Sequence, residues 1–169
     1  MFQFPSLVNL QPALEYTGGG PDFAGAHQRG HAFCDVVNLT VALDTFFLVD
    51  LHRGGKEAAP LLAELEGRGA LLATTPITAL ELYCGAYLSV EPDKSMTAAK
   101  KILASLIVLP LDDEAATVFG ALSARLRSEG KRIGDFDEVI AAIALCRDQE
   151  IVTRDGNVGE VAGLVVVGW

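Results

Sequence analysis

From residue 39 onward, short and almost unbroken apolar runs alternate with longer stretches of helical periodicity, and that alternation confines the chain to a layered α/β fold. The apolar runs are residues 39–43, 70–74, 107–111, 151–153 and 164–167. Strands buried on both faces of a parallel sheet read this way, because helices cover the sheet from both sides. Helices are predicted over residues 56–67, from the Thr75-Pro76 opening to about residue 90, from Pro92 to 106, from the Asp112-Asp113 cap to 130, and from about 135 to 148. With 169 residues, half of them apolar, there is enough chain for one domain with a full core.

The first run ends abruptly in a carboxylate. Residues 41–48 read Val-Ala-Leu-Asp-Thr-Phe-Phe-Leu, with Asp44 placed where the carboxyl edge of a parallel sheet opens to solvent and ligands bind. An N-cap for a short helix is an equally good reading of Asp44. Asp155 repeats the arrangement, following Ile151-Val152-Thr153 and preceding Gly156-Asn157. Taken singly it reads as a turn residue. Thr153 shares its face of the strand, since side chains alternate with period two.

Two further acids sit where acids are costly. In the helix after Pro76 the predicted core-facing stripe is Ile77, Leu80, Cys84, Tyr87 and Leu88, and Glu81 lies on it. An unpaired ionised carboxylate there costs several kcal/mol or shifts its pKa. The helix after Gly134 has a predicted core face of Phe136, Val139, Ile140 and Ile143, with Asp137 beside it and Ala141 and Ala144 leaving room for close approach. Asp135 reads as that helix's N-cap. Two acids at strand ends and two on helices starting near the same edge make an all-oxygen donor set. Such a set, without His or Cys, suits Mg²⁺ or Mn²⁺ and in-line attack of water on a phosphodiester.

Charge and composition narrow the function further. Thirteen Lys and Arg against 22 Asp and Glu give a net charge of −9, which argues against nucleic-acid binding by bulk charge alone. Cys34, Cys84 and Cys146 are odd in number and widely spaced, as reduced small hydrophobes of a cytoplasmic protein would be. Residues 1–38, with Pro5, Pro12 and Gly18-Gly19-Gly20-Pro21, are expected to form an irregular or flexible extension ahead of a domain at 39–169. His27, His31 and Cys34 have zinc-like spacing but lack a fourth partner nearby. No window approaches the ~20 apolar residues of a membrane span, and the start does not read as a signal peptide.

Four segments carry a family resemblance. Val41-Ala42-Leu43-Asp44-Thr45, Thr78-Ala79-Leu80-Glu81-Leu82, the stretch from Ile133-Gly134-Asp135-Phe136-Asp137 through Ala142, and Ile151-Val152-Thr153-Arg154-Asp155 resemble the successive motifs of a PIN domain. In particular they resemble the VapC toxins of toxin–antitoxin pairs. The resemblance implies a three-layer α/β sandwich with a central, mostly parallel five-stranded sheet. It also implies a Mg²⁺- or Mn²⁺-dependent endoribonuclease, usually a homodimer, silenced by a VapB-type antitoxin. Carried over by position, the catalytic acids are Asp44, Glu81, Asp137 and Asp155, with Asp44, Asp137 and Asp155 as metal ligands and Thr153 in support.

The chain departs from the pattern at Phe46, where the family more often has Asn or Ser. An RNA groove would have to be basic locally, with Arg53, Arg125, Arg127, Lys131, Arg132 and Arg154 as candidates. Alternatives are an RNA-processing or DNA-directed nuclease of the same fold outside a toxin system, or a non-catalytic binding module. A phosphoaspartyl transferase wants a second Asp where Phe46 stands, and a receiver domain wants paired acids at the first strand end.

Overall fold

A computed structural model describes residues 40–131 and 133–169. The expected extension over residues 1–38, with His27, His31 and Cys34, lies outside the described residues, as do Leu39 and Arg132. Five strands form one sheet: β1 (Thr40–Leu43), β2 (Leu71–Thr74), β3 (Ile107–Val108), β4 (Glu150–Val152) and β5 (Val166–Val167). Their order is β3-β2-β1-β4-β5, and every pairing is parallel. The chain therefore steps outward from β1 to β3, then returns to place β4 on the other side of β1. That reversal makes the carboxyl ends of β1 and β4 a topological switch point, where open α/β sheets bind ligands. The order differs from the 2-1-3-4-5 of receiver-type folds.

Period-two alternation sends the strand side chains to two different cores. Val41, Leu43, Leu72 and Val152 pack with Phe47, Leu48, Leu65 and Leu82 on one face. Ala42, Ala73 and Ile151 pack with Ile140, Ile143, Leu109 and Val158 on the other. The connecting helices are α1 (Thr45–His52), α2 (Ala58–Gly67), α3 (Pro76–Tyr87), α4 (Pro92–Leu103), α5 (Asp113–Ser128), α6 (Asp135–Cys146) and the short α7 (Gly156–Gly159). A third cluster, including Leu122, Leu126, Ala141 and Ala142, joins α5 to α6. Among the described residues no helix is long and apolar enough to cross a membrane.

Several sequence expectations change. Helix α1 exists, opened by the Asp44 side chain, and α7 appears where only a turn was expected. β3 keeps two of its five predicted residues: it is an edge strand, and Pro110 interrupts the run just beyond it. On α3 the predicted core stripe is wrong. Leu80, Cys84, Tyr87 and Leu88 are exposed, Leu88 at 82%, whereas Ile77, Thr78, Leu82 and Ala86 are buried. The helix is apolar nearly all round, so its period selects no single face. Glu81, between Ile77 and Thr78 on the helical wheel, still sits at the edge of the buried arc and is half-buried. On α6, Phe136 is exposed while Ile140 and Ile143 are buried, as is Glu138 in the same first turn as Phe136. Cys84 is likewise an exposed thiol and not a buried hydrophobe.

Candidate active site at the carboxyl edge of the sheet

Asp44 resolves the two readings given to it by satisfying both. It follows β1 in extended conformation, and its Oδ1 accepts the Phe47 N–H at 2.8 Å, opening α1. Its own N–H donates to the Val152 carbonyl of β4 at 3.2 Å, which ties the cap to the switch point. Only 7% of Asp44 is exposed. Burial pushes its carboxyl above the ordinary Asp value; hydrogen bonds from Phe47 and the Thr153 hydroxyl oppose that, and the charges of Glu81 and Asp137 add to it.

Asp155 occupies the equivalent position after β4. Its Oδ1 accepts the Asn157 N–H at 2.8 Å as the cap of α7, and its N–H donates to Thr153 Oγ1 at 3.1 Å. Thr153, 4% exposed, thus links the two strand-end acids through one hydroxyl. The turn reading of Asp155 and the site placement again coincide.

The helical acids reach the same place from two sides. Helix α3 starts beside β1, where Thr74 Oγ1 donates to the Leu43 carbonyl at 3.0 Å and Thr75 caps the helix. Glu81 then accepts a hydrogen bond from the Thr45 hydroxyl, the residue directly after Asp44. On α6 the N-cap is Gly134, not Asp135, which becomes the first helical residue. Asp137 turns back to accept the Gly134 N–H, half of a capping box. A Cβ at position 134 would lie 2.5 Å from Asp137 Oδ2, so any larger residue there would make this carboxylate swing away from its present position. Burial, then Asp155, then Glu81 push the Asp137 carboxyl above its ordinary value.

The four acids are coupled by charge: Asp44 feels Glu81 and Asp137, and Asp137 feels Glu81 and Asp155. Among the described residues no Lys, Arg or His forms an ion pair with any of the four. The four carboxylates, which influence one another by charge and have no basic partner among the described residues, match a hard divalent cation in donor type and in charge, but no three of them bring ligand atoms within 4.8 Å of one another. A second acidic group, Asp112, Glu114 and Cys146, has its ligand atoms within 4.8 Å of one another. It already contains its cation: Arg147 pairs with Asp112 and lies 3.7 Å from Glu114. That cluster is a structural ion-pair network joining α5 to α6.

Sequence reasoning missed the positioning roles of Thr45 and Gly134. Thr45 adjoins the strand-end acid, and Gly134 precedes the helical one by three residues, which is capping-box spacing and a usable signal. Of the candidate basic residues, Arg53 and Arg154 line a cleft with Asp155. Arg125 and Arg127 are exposed in the last turn of α5, and Lys131 pairs with Glu129.

A doubly wound sheet with a carboxylate cluster at its switch point, unpaired among the described residues, fits a class of protein, the α/β domains that hold divalent cations on acidic side chains. Comparison with known proteins makes the assignment particular. The PIN domain family model matches residues 41–164, and the chain belongs to that family. It is 31% identical over 113 residues to Ribonuclease VapC19 of Mycobacterium tuberculosis, covering 67% of this chain and 86% of that protein. It is 32% identical over 99 residues to the tRNA(fMet)-specific endonuclease VapC of Shigella flexneri, covering 58% of this chain and 75% of that one. In fold it is similar to VapBC2 from Rickettsia felis bound to a promoter DNA fragment, with a TM-score of 0.71 at 20% identity. That match covers 78% of this chain and 99% of that one.

Proposed function

We propose that the chain is a metal-dependent endoribonuclease, the toxin of a VapBC-type pair, with its nuclease domain at residues 39–169 and residues 1–38 as an extension. The observation that carries this reading is the coupling of Asp44, Glu81, Asp137 and Asp155 at the switch point with no basic partner among the described residues. The relatives named as VapC ribonucleases support the reaction and the toxin role. In this reading Asp44, Asp137 and Asp155 hold Mg²⁺ or Mn²⁺, which when bound lowers the pKa of a water nucleophile and steadies the leaving oxygen.

The remaining chemistry belongs to the chain. Thr153 fixes Asp44 and the Asp155 backbone in one register, Thr45 orients Glu81, and Gly134 lets Asp137 fold back over its own helix end. Glu81, held by a hydroxyl and not assigned to the metal, is placed to take a proton from water attacking the phosphorus. The protein is assigned to the cytoplasm, its substrate is RNA, and its regulator is a VapB-type antitoxin. A homodimer would cover the exposed Leu80, Tyr87 and Leu88 of α3. The test is incubation of the purified protein with tRNA and rRNA fragments, with and without Mg²⁺ or Mn²⁺, beside Asp44→Asn. Cleavage that needs neither metal nor Asp44 refutes the assignment.

A further inference from the structure

Phe46 is a large aromatic residue that the fold leaves in an unusual place. Helix α1 buries Phe47 and Leu48 in the core, so residues 46, 49, 50 and 53, spaced by three and four, form its outer face. Phe46 is 73% exposed there, two residues after Asp44. This face forms one wall of a cleft of about 420 Å³, and Arg154, Asp155 and Trp169 form the other. The volume falls within the roughly 300–1,000 Å³ of small-ligand sites. Asp155 therefore belongs to both the acid cluster and the cleft.

The far wall is held rigidly. Trp169 meets the buried Phe47 ring edge-on, with centroids 5.1 Å apart. The Arg154 guanidinium lies 4.5 Å over the Trp169 ring, donates from Nε to the Trp169 carbonyl at 3.0 Å, and pairs with Glu57. The near wall is open: the Phe46 ring is solvated, and among the described residues Arg53 has no carboxylate partner. A solvated ring beside two arginines, in a chain of net charge −9, suits a ligand that is flat and anionic together. Asp50 on the same face offers acceptors only, which match base amino groups and not phosphate.

We propose that this cleft is a nucleotide subsite in which an unpaired RNA base next to the scissile phosphate stacks on Phe46, its phosphate facing Arg53. The assignment rests on the ribonuclease reading and adds to it that Phe46 sets the contact with the base beside the cut. Base–aromatic stacking is sequence-tolerant and is worth ~1–3 kcal/mol per base, so about a tenfold loss of affinity is expected without the ring.

Trp169, the chain's one tryptophan, is a built-in reporter of the cleft. The experiment titrates its fluorescence with a single-stranded RNA 8-mer and with an abasic ribose-phosphate 8-mer. It uses an Asp44→Asn, Asp137→Asn background, where cleavage is absent and repulsion of phosphate is reduced. Adding Phe46→Ala should weaken RNA binding about tenfold, Phe46→Tyr should restore it, and the abasic strand should bind weakly and equally with or without the ring. In the otherwise unaltered chain with Mn²⁺, Phe46→Ala should raise KM about tenfold and leave kcat within twofold. Unchanged RNA affinity in Phe46→Ala, or abasic binding as tight as RNA, overturns the subsite. Loss of antitoxin affinity with RNA affinity intact overturns it in favour of a protein-docking surface. If the unaltered chain cleaves RNA and Phe46→Ala cleaves identically, the subsite alone falls; if the unaltered chain cleaves no RNA, the ribonuclease reading falls with it.

Discussion

Replacing Asp137 by Asn should make the metal-free protein more stable while abolishing its activity. Two like charges repel by ~1 kcal/mol at 4 Å in water and by several times that where solvent is excluded. Asp137 is half-buried and feels both Asp155 and Glu81, so after screening about 1–2 kcal/mol of repulsion remains to be relieved. Against that, removing a negative charge from the first turn of α6 costs about 0.3–1 kcal/mol. The Gly134 N–H keeps an acceptor, because the Asn carbonyl replaces the carboxylate oxygen. The net gain is then on the order of 0.5–1 kcal/mol, or about 1–4 °C in Tm for a domain of this size.

The sign with pH follows from the raised Asp137 carboxyl, whose ordinary value is 3.8. In the window between that value and the raised one, the folded state holds the proton better than the unfolded chain does. Stability due to this group is therefore present below about 3.8 and is lost as pH rises through the folded pKa. The advantage of Asn over Asp should be near zero at acid pH and reach its plateau above that window. Saturating Mn²⁺ should reverse the order, because ligand at a hundred times Kd adds about 2.7 kcal/mol to the native protein that binds it. Thermal melts at several pH values, in EDTA and in Mn²⁺, read all of this. A loss of several kcal/mol in EDTA would refute the reasoning and make Asp137 a structural partner.

Other outcomes follow from the same geometry. Mn²⁺ or Mg²⁺ should raise the Tm of the unaltered protein, and the Asp44→Asn, Asp137→Asn double variant should lose that shift; equal shifts would place the metal elsewhere. Gly134→Ala has an accessible backbone but puts a Cβ 2.5 Å from Asp137 Oδ2, so the fold should survive by circular dichroism while metal affinity and cleavage fall at least tenfold. Phe47→Ala, at a fully buried core position, should cost about 3–5 kcal/mol by denaturant titration. An antitoxin that places an Arg among the four acids should compete with metal, since a guanidinium fork can hold two carboxylates in its place. Calorimetry at zero and saturating Mn²⁺ would show weaker antitoxin binding in the metal, and unchanged affinity would exclude that mode of inhibition.

How much was legible in the sequence depended on whether one period dominated. Buried parallel strands announce themselves by continuity, so β1, β2 and β4 appear within a residue or two of their predicted places, and both acids that follow β1 and β4 lie at the switch point. Edge strands are short because nothing pairs their outer side, and apolar residues beyond the last ladder bond read the same as those within it; residues 107–111 and 164–167 were overlong for that reason. Helix α3 failed differently. With apolar residues on nearly every side it has no sequence-level inside, and the neighbours that choose its inside, α4, α1 and α6, are visible only in three dimensions. Glu81 is half-buried all the same, because its position depends on Thr45 and the start of α3, not on which leucines are covered. Gly134 was passed over because a glycine before a helix looks permissive, whereas here the constraint is the approach of one carboxylate.

The net charge of −9 and the proposed substrate conflict only if charge is averaged over the surface. The acids of the cluster are gathered at one edge of the sheet and coupled by charge, where a bound cation would offset them. Many of the other acids are already committed: Asp112 and Glu114 to Arg147, Glu57 to Arg154, Glu150 to Arg68, and Glu91 to Lys94. Arg53 and Arg154 line a cleft with Asp155, and Arg125 and Arg127 are exposed in the last turn of α5. A polyanion approaching Asp155 meets two arginines beside it, while the excess of acids opposes binding elsewhere on the surface. Relieving the repulsion of the acid cluster, by a bound cation or by the Asp44→Asn, Asp137→Asn substitutions, should therefore strengthen RNA binding beside it, and a partner's basic side chain among the acids would compete with the cation.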